Sequence, residues 1–216
     1  MTILLLGRPD LQEFLSQNAH VEFFSGEQAR APLSLHAVRS LSPDWIISHG
    51  YRFKLGREIL DYCPGRTLNL HISYLPYNRG ADPNFWSWLH GTPKGVTIHQ
   101  MDEGIDTGPI LTQRAVKFTR DDHTLRSSYE MLQQEICKLF RERWPEIRGG
   151  SCTPTPQGAG GSTHKTIDRA PYEEFLSQGG WDTPVSQIEE YGGEIRQSAD
   201  FWERIYLDSL HEGRPS

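Results

Sequence analysis

Read from its first residue, the chain alternates short apolar runs with segments whose apolar positions recur at helical spacing. Ile3–Leu6 is an uninterrupted apolar run closed by Gly7, the pattern of a strand buried on both faces. Leu11, Phe14 and Leu15 then recur at three and four, which predicts a helix to about Gln17. Val21–Phe24 reads as a second strand. A mixed, charged segment from Glu27 to Ser40 carries Leu33, Leu35 and Val38 and predicts a second helix. Asp44–Ser48 is a third strand. Strands alternating with helices in this way predict an α/β, Rossmann-like, mostly parallel and doubly wound sheet. Such sheets bind ligands beyond the carboxyl ends of their strands. That rule places the loop after Ser48, the loop after His71 and the loop around Asp106 on one rim.

The pattern continues through residues 68–110. Leu68, Leu70 and Ile72 alternate with Asn69 and His71, so an amide and an imidazole project from one face of a strand while aliphatic side chains pack on the other. Pro83–Gly91 reads as a helix starting near Asp82, with Pro83 in its first turn and Phe85, Trp86 and Leu89 on its apolar face. Trp86 is therefore expected in the core. Val96 and Ile98 mark another strand, followed by an acidic, glycine-containing loop. The longest periodic pattern is Asp122–Trp144, with Leu125, Tyr129, Leu132, Ile136, Leu139 and Phe140 on one stripe and Asp121 or Asp122 as the cap.

After Gly149-Gly150 the composition shifts to a turn-rich, linker-like stretch over residues 151–163. Three short helical patterns follow: Pro171–Gln178, Pro184–Tyr191 with Thr183 as its cap, and Ser198–Leu210. The organisation expected is a domain over residues 1–150 with a small, mainly helical extension, 151–216, packed on it. About 50 residues of this kind make an appendage, not a second independent core. The extension can contact a substrate or form a homodimer face, and the pattern does not decide between them.

Composition narrows the functional classes. A net charge of −6 argues against a polyanionic partner, because nucleic-acid binding needs a basic footprint. Cys63, Cys137 and Cys152 are odd in number and widely separated, which fits neither a disulfide framework nor a metal-ligand spacing, and a reducing compartment follows. No apolar run approaches the roughly 20 residues of a membrane span, and the amino-terminal run is too short for a signal peptide. A cytoplasmic location and no bound metal are expected. Gly7-Arg8-Pro9 has neither the dinucleotide nor the P-loop glycine pattern.

The chemistry rests on few residues. Asn69 and His71 read either as locally satisfied polar groups at a strand end or as half of a site. Asp102 and Glu103 suit turn chemistry and solvation, and Asp106, beside Thr107-Gly108-Pro109, suits a local Asx bond. An amide, an imidazole and a carboxylate brought together would make a site: the amide donates to a developing oxyanion, the imidazole handles charge or a proton, and the carboxylate orients the imidazole. Tyr51 and Phe53 suit packing at a loop base. Arg52, Lys54 and Arg79 suit a solvated surface, although Arg79 can also bind an anion. His99 suits a core histidine.

Asn69-x-His71, the following Ser73-Tyr74-Leu75-Pro76-x-x-Arg79-Gly80, and Gly95-Val96-Thr97-x-His99 with Asp106 seven residues on resemble the folate-dependent formyltransferase family. The resemblance is clear over about residues 42–120 and weak beyond. Its wording from Ser73 to Trp86 is similar to the short sugar N-formyltransferases. It implies a one-carbon transferase that uses 10-formyltetrahydrofolate as formyl donor. The expected acceptor is the amine of a nucleotide-linked amino-deoxysugar made for a surface glycan. Alternatives are another amine such as glycinamide ribonucleotide, or a silent folate-binding module. Implied catalytic residues are Asn69, His71 and Asp106. Implied folate contacts are Tyr51, Arg52, Phe53, Lys54, Asp102 and Gly104, and implied acceptor contacts are Tyr74, Tyr77, Asn78, Arg79 and Gly80. The same resemblance places a supporting histidine at His99 and a Gly-Gly segment leading to a histidine at His164.

Overall fold

A computed structural model describes residues 1–25, 32–118 and 122–197. The first seven elements include four strands where the apolar runs predict and one short helix, Arg57–Leu60, that the pattern does not predict. They are β1 (Thr2–Gly7), α1 (Gln12–Ser16), β2 (His20–Ser25), α2 (Leu35–Leu41), β3 (Trp45–His49), α3 (Arg57–Leu60) and β4 (Thr67–His71). The chain continues through β5 (Arg79–Gly80), α4 (Pro83–Leu89), β6 (Gly95–Gln100), β7 (Ile110–Ala115) and α5 (Leu125–Arg148). It ends in β8 (Thr163–His164), α6 (Glu173–Leu176) and α7 (Val185–Arg196). Six strands form one sheet in the order β2-β1-β3-β4-β6-β7. Pairing is parallel from β2 to β4 and turns antiparallel between β4 and β6. The sheet is thus Rossmann-like and mostly parallel, with helices at the carboxyl-terminal end. No described helix is long and apolar enough to cross a membrane.

Two compact units can be distinguished: residues 1–71, 97–112 and 136–157, and residues 72–96, 113–135 and from 158 onward. In the first, Leu4, Leu6 and Ile46 pack with Val38, Leu55, Ile59 and Cys63 in a fully apolar cluster. These strands have no solvent face, which is why they read as solid apolar runs and not as alternations. In the second, Phe85, Trp86, Trp88 and Leu89 pack with Leu125, Leu176, Val185 and Ile188. Trp86 is core, as its helical spacing predicts, and its ring stacks on His164 with centroids 4.2 Å apart.

Four helix ends differ from expectation. Part of the predicted second helix lies outside the described residues, and α2 itself starts later, where the Ser34 hydroxyl accepts from the Ala37 amide. The long helix is capped by Thr124 and not by an aspartate. Thr124 Oγ1 accepts from the Ser127 amide at 3.2 Å while Ser127 Oγ accepts from the Thr124 amide at 2.9 Å, a reciprocal box that leaves Asp122 outside the turn. Asp121 lies outside the described residues. At its other end α5 runs past Pro145 to Arg148. Trp144, edge-on to Trp45 at 5.2 Å and stacked on Phe140 at 5.1 Å, anchors that last stretch despite the backbone bond that proline removes. Thr183 does not cap α7. Its hydroxyl donates to the Gly180 carbonyl, and α7 opens after Pro184 without a side-chain cap. The predicted helix Ser198–Leu210 lies outside the described residues.

The second unit holds two histidines kept neutral by burial. Burial pushes the His164 imidazole down to about 4, and burial together with the neighbouring His164 and Arg196 pushes His90 down to about 3. Their rings lie 5.0 Å apart. A histidine depressed in the folded state takes up protons on unfolding between its folded value and about 6.5, so stability rises with pH across that window. Urea midpoints are therefore expected to fall as pH is lowered from about 7.5 towards about 4, and His164→Gln should flatten that slope.

Candidate active site

Alternation along β4 builds the first half of the site. Leu68 and Leu70 are buried on one side, and Asn69 and His71 share the other. Because β6 runs antiparallel to β4, His99 stands directly opposite Asn69 and Thr97 opposite His71. Opposed residues on one face bring their side chains within reach of one another. His99 thereby enters the site from a neighbouring strand.

The second half comes from the loop after β6, and here the expected common rim needs correction. β6 ends beside the start of β4, with Gln100 opposite Leu68 and the Met101 amide donating to the Thr67 carbonyl. The loop of residues 101–109 therefore leaves the sheet at the opposite end of β4 from His71. Asp106 reaches the face shared by Asn69 and His71 by folding back. Asn69 Nδ2 donates to Asp106 Oδ1 at 2.8 Å, and His71 Nδ1 faces Asp106 Oδ2 at 3.5 Å. His99 Nε2 lies 3.3 Å from Asp106 Oδ1 and 3.4 Å from Asn69 Nδ2. His99 Nδ1 is 2.8 Å from the Gln100 carbonyl, which fixes that nitrogen as a proton donor. A neutral His99 then accepts from the Asn69 amide, and a protonated one donates to Asp106.

The side chains of His71, His99 and Asp106 are only 8%, 2% and 11% exposed. In such surroundings a carboxylate interacts with a neighbouring imidazole more strongly than in water. Asp106 itself adopts a left-handed backbone with φ of 55°, a region that aspartate tolerates better than most residues but that still requires support. That support includes Gln157, whose Nε2 donates to the Asp106 carbonyl at 2.7 Å and to the Gly108 carbonyl at 2.9 Å. Nothing in the turn-rich stretch around Gln157 marks it as part of a site.

The other predicted residues fall into three kinds. Tyr51 places its ring against Phe24 and Phe53, and its hydroxyl accepts from the Leu33 amide at 2.8 Å. Arg52 is exposed and lies over the Phe53 ring, and Lys54 is exposed. Asp102 makes the Asx bond that its setting suggests, accepting from the Gly104 amide at 3.0 Å and from the Thr107 hydroxyl at 2.6 Å. A Cβ on Gly104 would sit 1.9 Å from that same hydroxyl.

In the second unit the Gly-Gly segment before His164 grips the loop after β4. Arg79 and Gly80 pair with Thr163 and His164, and a Cβ on Gly80 would meet the His164 carbonyl at 2.2 Å. Asn78 is 0% exposed, its Nδ2 donates to Thr92 Oγ1 at 2.8 Å, and its Oδ1 accepts from Ser162 Oγ at 3.2 Å. Its amide is thereby a strut inside the loop. Tyr74 is half-buried against Gly95, while Tyr77 is exposed. Among the described residues no group of three or more His, Cys, Asp or Glu side chains could hold a metal ion.

Residues 10–142 match the family described as Formyl transferase, a wider span than the motifs alone delimit. The chain is 44% identical to the formyltransferase PseJ of Anoxybacillus kamchatkensis, solved in complex with UDP-4,6-dideoxy-4-formamido-L-AltNAc and tetrahydrofolate. The match has a TM-score of 0.81 and covers 89% of this chain and 100% of that one. A likely sugar N-formyltransferase of Mycobacterium tuberculosis shares the fold at 23% identity, with a TM-score of 0.70, over 80% of this chain and 78% of that one. The methionyl-tRNA formyltransferase of Halorhodospira halophila is 33% identical over 75% of this chain. The chain spans about half the length of the curated relatives it matches.

Close packing at the base of the Asp106 loop yields a stability prediction. A Cβ on Gly108 would lie 1.8 Å from the Gln100 carbonyl oxygen. Gly108→Ala must therefore push the loop off β6, and a loss of about 1–3 kcal/mol is expected in urea unfolding.

Proposed function

The chain belongs to the formyl transferase family, and from that premise we propose that it moves the formyl group of 10-formyltetrahydrofolate to the primary amine of a nucleotide-linked amino-deoxysugar. The observation that carries the chemistry is the convergence of Asn69, His71 and His99 on one carboxylate, Asp106. The likeness to PseJ, over the whole of that chain, supports a sugar acceptor, and a UDP-linked 4-amino sugar is the first to try. The net charge of −6 speaks against a tRNA acceptor, which would need a basic surface.

In the proposed reaction the amine nitrogen forms a bond to the formyl carbon, and the carbonyl electron pair moves to oxygen. Asn69 has two amide hydrogens. One is engaged by Asp106 Oδ1, which orients the amide, and the other, which His99 Nε2 at 3.4 Å no longer accepts once that imidazole is protonated, is assigned to the oxyanion. His71 faces Asp106 through Nδ1, so Nε2 is the nitrogen assigned to the substrate. In its imidazolium form His71 supports the oxyanion and can deliver a proton. The attacking amine loses a proton, for which Asp106 is the acceptor we assign, directly or through water. Collapse of the tetrahedral species breaks the bond from the formyl carbon to N10 of the folate, and N10 takes a proton. The formamide and tetrahydrofolate leave, and no covalent enzyme intermediate is needed because the amine is itself the nucleophile.

We assign folate recognition to the loop of residues 51–54 and to the Asp102–Asp106 loop, whose Glu103 Oε1 lies 3.3 Å from Arg57 Nη1 at the start of α3. The packing of Tyr51 and the Asx turn of Asp102 leave main-chain groups as the chief folate contacts in this reading. Acceptor contact is assigned to Tyr74, Tyr77 and Arg79, with Asn78 and Gly80 holding the shape of their loop. Residues 1–150 would supply the catalytic groups and 151–216 an extension for acceptor contact or self-association. Synthesis of a surface glycan, in the cytoplasm, is the setting we propose.

Mass spectrometry of dTDP-, UDP- and GDP-linked amino sugars and of glycinamide ribonucleotide, each incubated with 10-formyltetrahydrofolate, tests this reading. A gain of one formyl group on a sugar nucleotide is expected. Gain on glycinamide ribonucleotide alone would overturn the acceptor class, and no gain on any amine would overturn the transfer itself. On the active substrate, Asn69→Ala is expected to lower kcat by roughly 100- to 1,000-fold, the usual effect of removing one preorganised oxyanion donor.

A further inference from the structure

The segment after the long helix, linker-like in composition, reaches the catalytic loop. Thr155 forms an isolated antiparallel bridge with Ile110, each amide donating to the other's carbonyl at 2.8 Å. Pro154 and Pro156 flank Thr155 and have no N–H, so the main chain can carry the bridge no further as a donor. The next residue continues it with a side chain. Both Nε2 hydrogens of Gln157 are directed at carbonyls of the loop, Asp106 at 2.7 Å and Gly108 at 2.9 Å.

Both bonds hold the main chain at Asp106 and immediately after it. The Asp106 carbonyl belongs to the peptide plane that follows its left-handed Cα, so holding that oxygen restrains ψ of Asp106 and with it the direction of the Cα–Cβ bond. Gly108 is pressed against the Gln100 carbonyl on its other side. The loop is thus held between the end of β6 and the Gln157 amide, with the carboxylate directed at Asn69 Nδ2 and at the two imidazoles.

We infer that Gln157 is a positioning residue for Asp106, and that the strap Pro154–Gln157 sets the geometry of the acid–base array from outside it. The catalytic part of this inference rests on the formyl-transfer reading above, whereas the structural part does not. Small misplacements of a reacting group lower rates steeply, and a side-chain amide donating to two carbonyls has no equivalent in an apolar or acidic residue.

Two variants test it. Gln157→Ala removes the amide, and Gln157→Glu keeps its size but presents a carboxylate to two carbonyl oxygens. Hydrogen–deuterium exchange of the peptide spanning residues 102–110 is expected to quicken roughly tenfold in both, with peptides from β1 and β3 unchanged. With the amine substrate, kcat should fall about 10- to 100-fold while KM for the amine stays within about threefold. In an Asp106→Asn background the second substitution, Gln157→Ala, should add less than about threefold, because it acts through the group already removed. Unchanged loop exchange in both variants, or a loss that multiplies fully in the Asp106→Asn background, would overturn the proposal. Quickened exchange in a protein that formylates no amine would leave the strap standing and reject the formyl-transfer reading instead.

Discussion

Asn69 and His99 stand opposite one another where β4 pairs with β6, and most of the site follows from the antiparallel direction of that pairing beside three parallel ones. A parallel neighbour would have launched its loop at the same end as His71. The antiparallel one launches it from the far end, so the chain has to fold back and lay its carboxylate across the strand face. That return is what encloses Asp106, because a side chain lying over a sheet is covered in a way that one on an open rim is not. Enclosure in turn gives the Asp106 contacts their strength, since charges held away from water interact through a lower effective dielectric.

The cost of this arrangement falls on the loop backbone. Asp106 occupies a left-handed conformation, Gly104 and Gly108 sit where any side chain would collide, and Asp102 closes the first turn with its own carboxylate. A segment carrying so many local constraints needs external anchors, and it has Gln100 on one side and Gln157 on the other. The second unit repeats the device with different residues. There Asn78, also left-handed, is held by Thr92 and Ser162, and Gly80 and Gly161 allow two main chains to approach closely. In both loops an otherwise costly backbone persists because the surrounding structure over-determines it.

Much of this protein could be read from its residues alone. Solid apolar runs at Ile3–Leu6 and Trp45–Ile47 specify buried strands, since only a strand covered on both faces can be apolar at every position. The period-two alternation from Leu68 to His71 placed Asn69 and His71 on one face for the same elementary reason. The family, too, was legible, because its motifs fall within two short stretches of chain. What local pattern could not supply were relationships between distant residues. The reversal of β6 leaves no trace in its own alternation, so nothing in the sequence marks the departure of the Asp106 loop from the far end of β4. Thr124 as a cap lost out to the nearby aspartates, because a reciprocal Thr–Ser box has a weaker signature than an acidic one. Gln157 was invisible among prolines and glycines, since the carbonyls that it holds lie about 50 positions earlier and come within reach only once the chain has folded. Periodicity and composition report what each residue does to its immediate neighbours; the direction of strand pairing and the reach of a side-chain amide are decided by tertiary contact alone.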